Sequence, residues 1–265
     1  MATPIPMMSV RTTWVMPMIL TVVTLYSPML SWHKLFVSAS VICSFHTIYL
    51  GTEQRLTPAE FALKIELPIF PELIQRFLYD QLYPKSHLTS SDVSLSACPV
   101  FSGAISLFSS ATASFYAPSD PSGIRGIRHE QIRATDSWRH GPARYDCAFV
   151  STRPELDGMR GLEVVRVLAF LSFTYHNKFY PSALVRWYSI IGEDYDEDTG
   201  MWMVTPDIDN VSIIHVDTVF RAAHLLPIFG RAYLPPGITY HNSLDAFTTY
   251  YVNKFIDHHA FEITV

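Results

Sequence analysis

The chain has 265 residues, of which 49% are hydrophobic and 16% charged, and its net charge is −5. That composition excludes a wholly disordered polymer and a protein that binds nucleic acid through bulk positive charge. Three scattered cysteines, Cys43, Cys98 and Cys147, exclude a disulfide framework and a CxxC zinc knuckle.

Three regions are expected: an apolar segment over 1–56, a helical and irregular region with a basic connector over 57–140, and a β-rich domain over 141–265. Uncharged runs at 12–32 and 35–52 have the length of a membrane span. Pro17 and Pro28 interrupt the first, and serines dilute the second. Insertion of residues 12–52 is the alternative reading; it would make the chain a small membrane-anchored protein with a soluble β domain.

Thr57-Pro58-Ala59-Glu60 reads as a capped helix start with proline in the first turn and a capping box. Leu67-Pro68 stops that helix. Pro71-Glu72 opens a second one, with Leu73, Ile74, Phe77 and Leu78 on its apolar face. Residues 85–126 read as irregular chain with short extended pieces and a turn over 118–123. A basic run follows: Arg125, Arg128, Arg133, Arg139 and Arg144, interleaved with Trp138 and Tyr145 and opposed by Glu130 and Asp136. Guanidinium groups pair with phosphates and aromatic rings stack on bases, so these five arginines are the candidate DNA contacts. The competing reading is a solvated connector whose arginines pair with the acidic region that follows.

Residues 142–265 hold nine Lys/Arg and fifteen Asp/Glu, a net of −6. Runs at 163–175, 179–191, 201–205 and 211–216 are rich in β-formers and predict an antiparallel, barrel-like sheet. Pro181 belongs at a strand start or edge. Trp187 and Trp202 flank an acidic loop over 193–198, and at least one of them is expected in the core. A helical turn is expected over 218–224 and a fifth strand over 225–229. Ser243 is expected to cap a closing helix with Phe247, Tyr250, Tyr251 and Phe255 on its buried face. A short strand is expected over 261–265. The fold class is therefore α+β: a helical and irregular N-terminal part, then a small antiparallel β-rich domain closed by a C-terminal helix.

The acidic loop lacks the glycine and the final glutamate of a calcium loop counted from Asp194. His258, His259 and Glu262, beside Asp257, are weak metal-ligand candidates and the basis of a third reading, a metal-dependent hydrolase or nuclease. They lack the HExxH spacing, and nucleophile-elbow and phosphate-loop motifs are missing too. No cofactor is expected.

Longer motifs run in one order along the chain. Pro-Glu-Leu-Ile-Gln-Arg-Phe-Leu-Tyr-Asp-Gln-Leu (71–82) and Phe-Tyr-Ala-Pro-Ser-Asp (115–120) come first. Gly-Pro-Ala-Arg-Tyr-Asp-Cys (141–147), Gly-Met-Arg-Gly-Leu-Glu-Val-Val-Arg-Val (158–167) and Tyr-Pro-Ser-Ala-Leu-Val-Arg-Trp-Tyr (180–188) follow. Asp-Glu-Asp-Thr-Gly-Met-Trp-Met-Val (196–204), Ile-His-Val-Asp-Thr-Val-Phe-Arg-Ala-Ala-His-Leu-Leu-Pro-Ile-Phe-Gly (214–230) and Tyr-Val-Asn-Lys-Phe-Ile-Asp-His-His-Ala-Phe-Glu-Ile (251–263) complete the series. Over roughly 65–265 the chain resembles the C-terminal region of Plavaka-type transposases, CACTA-related elements of mushroom-forming fungi. The β-rich part is also similar in style to the C-terminal module of plant En/Spm-type transposon proteins, which implies a small barrel.

The resemblance implies a nuclear, transposon-encoded protein, here a fragment without the catalytic core, which lies upstream in that family. No catalytic residue carries over. The implied role is a non-catalytic protein- or DNA-interaction module, with transposase subunits or other nuclear proteins as partners. The net of −6 beyond residue 141 limits any DNA contact to weak, non-specific binding through the arginine run.

Overall fold

A computed structural model of the chain describes residues 54–264 apart from 120–122, 231–232, 235 and 240. The expectations for 12–52, and part of the turn over 118–123, lie outside the described residues. In chain order the elements are β1 (Gln54–Leu56), α1 (Pro58–Lys64), α2 (Phe70–Leu82), β2 (Ile105–Phe108), β3 (Ser110–Tyr116), β4 (Ile127–Thr135), β5 (Arg144–Tyr145) and β6 (Cys147–Ser151). They continue with β7 (Leu162–Tyr175), β8 (Lys178–Ile191), β9 (Met203–His215), β10 (Val219–Ala223), β11 (Leu225–Pro227), α3 (Ser243–Ala246), β12 (Tyr250–Val252) and α4 (His258–Ile263).

Both N-terminal helices form where the sequence directs. The Thr57 backbone N–H donates to Glu60 Oε2 (2.7 Å), and the Glu60 N–H donates to Thr57 Oγ1 (3.3 Å), so the capping box is complete. In α2, Ile74, Phe77 and Leu78 are buried and Leu73 is half-buried.

The architecture is α+β with antiparallel sheets. A nine-stranded sheet runs β1-β2-β7-β8-β9-β12-β11, with β6 joined to β7 and β10 joined to β6; β3, β4 and β5 form a second, three-stranded sheet. The strands do not close into a barrel. Strand β7 organises the molecule: its first half pairs β6, its second half pairs β2, and its other edge pairs β8 along nearly its whole length. His176 and Asn177 turn the β7–β8 hairpin with φ of 47° and 62°, the left-handed pair that a two-residue turn needs to match strand twist. Pro181 lies one residue before β9 begins to pair with β8, so its missing N–H falls outside that ladder.

A bulge in β7 between Val167 and Ala169 shifts the register against β8. Before it, Val165 and Val167 face the three-stranded sheet with Ala111, Ala113, Ile132 and Ala134; after it, Phe170 takes that side. Ala169, Leu171 and Phe173 then face the helices, packing with Phe61, Phe70, Ile74 and Phe77. Both faces of β7 are covered, which explains why it reads as an unbroken apolar run.

Several expectations are corrected. The short extended pieces expected within 85–126 are β2 and β3, but the basic connector, too, is structured and forms β4 and β5. Residues 219–223 are a strand, not a helical turn, because they pair with β6. Residues 203–205 and 211–215 of the two expected segments lie in one element, β9, yet the register jumps from Arg186↔Val211 to Tyr188↔Pro206. Residues 207–210 therefore bulge opposite Trp187 alone. The expected closing helix is only α3; Phe247 turns extended, and Tyr250, Tyr251 and Val252 pair with β9 and β11. The expected strand at 261–265 is replaced by α4, which Asp257 caps by accepting the Ala260 N–H at 2.7 Å. Trp187 and Trp202 are both half-buried rather than enclosed. The expected boundary at 140 is not a structural division, since β2 pairs β7 across it and all described residues fall in one compact unit.

Candidate functional site: an arginine-rich cleft

A cleft of about 400 Å³ opens between β4, β10 and the segment leading into α4. Its floor is an ionic cluster about Arg221, which is only 2% exposed. Arg221 Nη2 donates to Glu130 Oε1 (2.6 Å) and Asp257 Oδ2 (2.6 Å); Nη1 donates to Asp257 Oδ1 (2.9 Å) and His259 Nδ1 (3.0 Å). Glu130 Oε2 also accepts the Ala222 N–H at 3.1 Å. The Phe115 ring supports the guanidinium from 4.6 Å and stacks on the His259 ring at 4.7 Å.

A guanidinium only donates, so His259 Nδ1 must accept and the imidazole is neutral, with its proton on Nε2. Burial and then the Arg221 charge push the His259 pKa down to about 4. Asp257 sits at about 2, because its bonds to Arg221 and to the Ala260 N–H outweigh its burial. Burial pushes the Cys147 thiol at the cleft's edge up to about 12, so it is no nucleophile near neutral pH.

The five candidate DNA-contacting arginines are split by the pleat of β4. Successive side chains on a strand alternate between its faces, so Arg128 shares the Glu130 and Ile132 face and Arg133 takes the opposite one. Arg128 contributes to the electrostatics of the buried His259. At the other end of the strand, Arg133, Arg139 and Arg144 gather about Trp138, with their Cζ atoms 4.3, 5.3 and 5.6 Å from its ring centroid. Arg144 Nε donates to Asp146 Oδ1 (2.7 Å), and the Arg133 backbone N–H donates to Asp146 Oδ2 (2.9 Å). Arg133 also reaches Gln131 Oε1 at 2.8 Å. Asp136 is engaged by Lys64 (3.0 Å) and by the Tyr145 hydroxyl (2.8 Å). Arg125 and Arg139 are exposed, each in a turn with positive φ.

The weak metal candidates do not converge. His259 is buried against Arg221, whereas His258 and Glu262 are exposed. Among the described residues no group of three or more His, Cys, Asp or Glu is placed to hold a metal ion. Asp257 and His259 instead surround a protein cation. Among the described residues no helix is long and apolar enough to cross a membrane.

Arg221 is the central residue that sequence reasoning missed. Its signal was a lone charge within Val219-Phe220-Arg221-Ala222-Ala223, because a charge in an apolar strand is buried only when paired. No family model matches the chain, and neither a curated protein nor a solved structure does.

Proposed function

We propose that this chain is a non-catalytic interaction module of a transposon-encoded protein, and that it touches nucleic acid through the Arg133/Arg139/Arg144 patch around Trp138. The observation that carries this reading is the gathering of three guanidinium groups about one indole ring. Such a surface offers phosphate pairing beside an aromatic plane. The ordered motif series shared in kind with Plavaka-type transposases supports the transposon origin and a nuclear setting.

The contact is weak, because Asp146 and Asp136 stand within the patch and the chain beyond residue 141 carries net −6. Fluorescence anisotropy of labelled single-stranded and duplex oligonucleotides tests it. Dissociation constants on the order of 10⁻⁴–10⁻⁶ M, weakening steadily with salt, are expected. Trp138→Ala and the double variant R139A/R144A should each weaken binding, whereas Arg128→Ala should leave the salt slope unchanged. Tight, salt-insensitive binding, or binding indifferent to these patch variants, would remove the patch from the account.

A further inference from the structure

A second, smaller pocket lies under α3, separated from the cleft by Leu244, which lines both. Arg166 of β7 and Arg186 of β8 are direct cross-strand partners. Like charges placed opposite one another destabilise a sheet, so both need counter-ions. Arg166 has one: Asp245 of α3 receives both of its terminal nitrogens, one at 3.0 Å. Arg186 has no hydrogen-bond or ion-pair partner among the described residues, and its Nε, like that of Arg166, is buried without an acceptor. The two arginines line a pocket of about 230 Å³ with Tyr188, Ile208 and Phe247. The bulge at 207–210 shapes its mouth, where Ile208 is 70% exposed. Bulges recur beside binding sites because they re-aim side chains that a regular ladder would fix.

The geometry points to a binding site for a carboxylate borne on an apolar body, either a free small acid or the C-terminal carboxylate of a peptide. Within the lining, two arginines and one aspartate leave one positive charge, which a single carboxylate neutralises and a phosphate dianion overshoots. Asp207 and Asp209 of the bulge stand outside that lining and add to the repulsion of a dianion. A planar carboxylate matches the guanidinium fork, and the Tyr188, Ile208 and Phe247 side of the lining suits an aryl or aliphatic body over a hydrated phosphate. The volume is below that of pockets for drug-sized ligands, so it suits a terminal group.

Thermal unfolding of the full chain, titrated at constant ionic strength, tests this. Benzoate and N-acetylphenylalanine should raise the midpoint saturably. Benzyl alcohol, N-acetylphenylalaninamide and inorganic phosphate should not. A larger effect of N-acetylphenylalanine than of benzoate assigns the site to peptide termini, and the reverse to free acids. Arg186→Met, which keeps the aliphatic packing, should abolish the response. Ile208→Glu, at the exposed mouth, should weaken it roughly tenfold or more by like-charge repulsion while the protein still unfolds cooperatively. No shift beyond that of sodium chloride, an unchanged response in Ile208→Glu, or phosphate acting as strongly as benzoate would each overturn the assignment.

Discussion

Removing Arg221 would strip Asp257 and Glu130 of the cation that holds them. Breaking a buried ion pair from one side typically costs about 3–5 kcal/mol, so Arg221→Met should lower the denaturant midpoint sharply; an unchanged midpoint would contradict the cluster. His259 supplies a pH signature. Its folded pKa of about 4 lies below the ordinary histidine value of 6.5, so folding disfavours the charged ring. Stability from this group is complete above pH 6.5 and falls as pH drops toward 4, by at most about 1.4 kcal/mol per pH unit. Arg221, Asp257, Glu262 and Arg128 all act on it, and Asp257, near 2, is still ionised through this window. Unfolding followed from pH 7 to 4 should show the slope, and His259→Gln should flatten it. None of this was legible from Asp257-His258-His259 read as metal ligands, because their true partner lies 36 residues upstream of Asp257.

Elements whose rules are local were legible. The Thr57 box, the α2 face and the β7–β8 hairpin rest on residues within a few positions of one another. Thr57→Ala removes one side of the box and should cost about 1 kcal/mol. In a domain of this size that lowers the melting temperature by about 2–4 °C, which calorimetry resolves. Elsewhere tertiary context decided. Phe247, Tyr250, Tyr251 and Phe255 have helical spacing, but aromatic and β-branched residues also suit strands, and the edge of β9 was available to Tyr250 and Tyr251. The five arginines looked like one run because spacing along a sequence does not reveal which strand face each occupies. The bulge in β7 exchanges the faces in mid-strand, and no alternation pattern announces that.

At the scale of the described residues, the helical and the β-rich parts belong to one compact unit. Leu171, Phe173, Tyr180 and Leu184 of the long strands are covered by Phe70, Ile74 and Phe77 of the helical region. A chain beginning at residue 141 would lay that surface bare and lose β2 from the sheet. It should therefore unfold without a sharp transition and bind hydrophobic dye; a sharp calorimetric peak would show that the β-rich half stands alone. The reading of 141–265 as a separate domain followed the change in composition, which does not report who pairs with whom.

The Arg221 cluster also sets an order of events during synthesis. Glu130 lies 91 residues before Arg221, and Asp257 lies 36 after it. While a ribosome is still adding the intervening chain, the arginine has at most one of its two carboxylates. Strands β4, β6 and β10 can meet, but Arg221 then has Glu130 alone and lacks the hydrogen bonds to Asp257 and His259, and no capped α4 covers it. The strands up to β10 thus precede their seal, since β12 and α4 come last in the chain. The cluster is complete only when Asp257 has left the exit tunnel, so closure of this corner of the fold waits on the last residues to emerge.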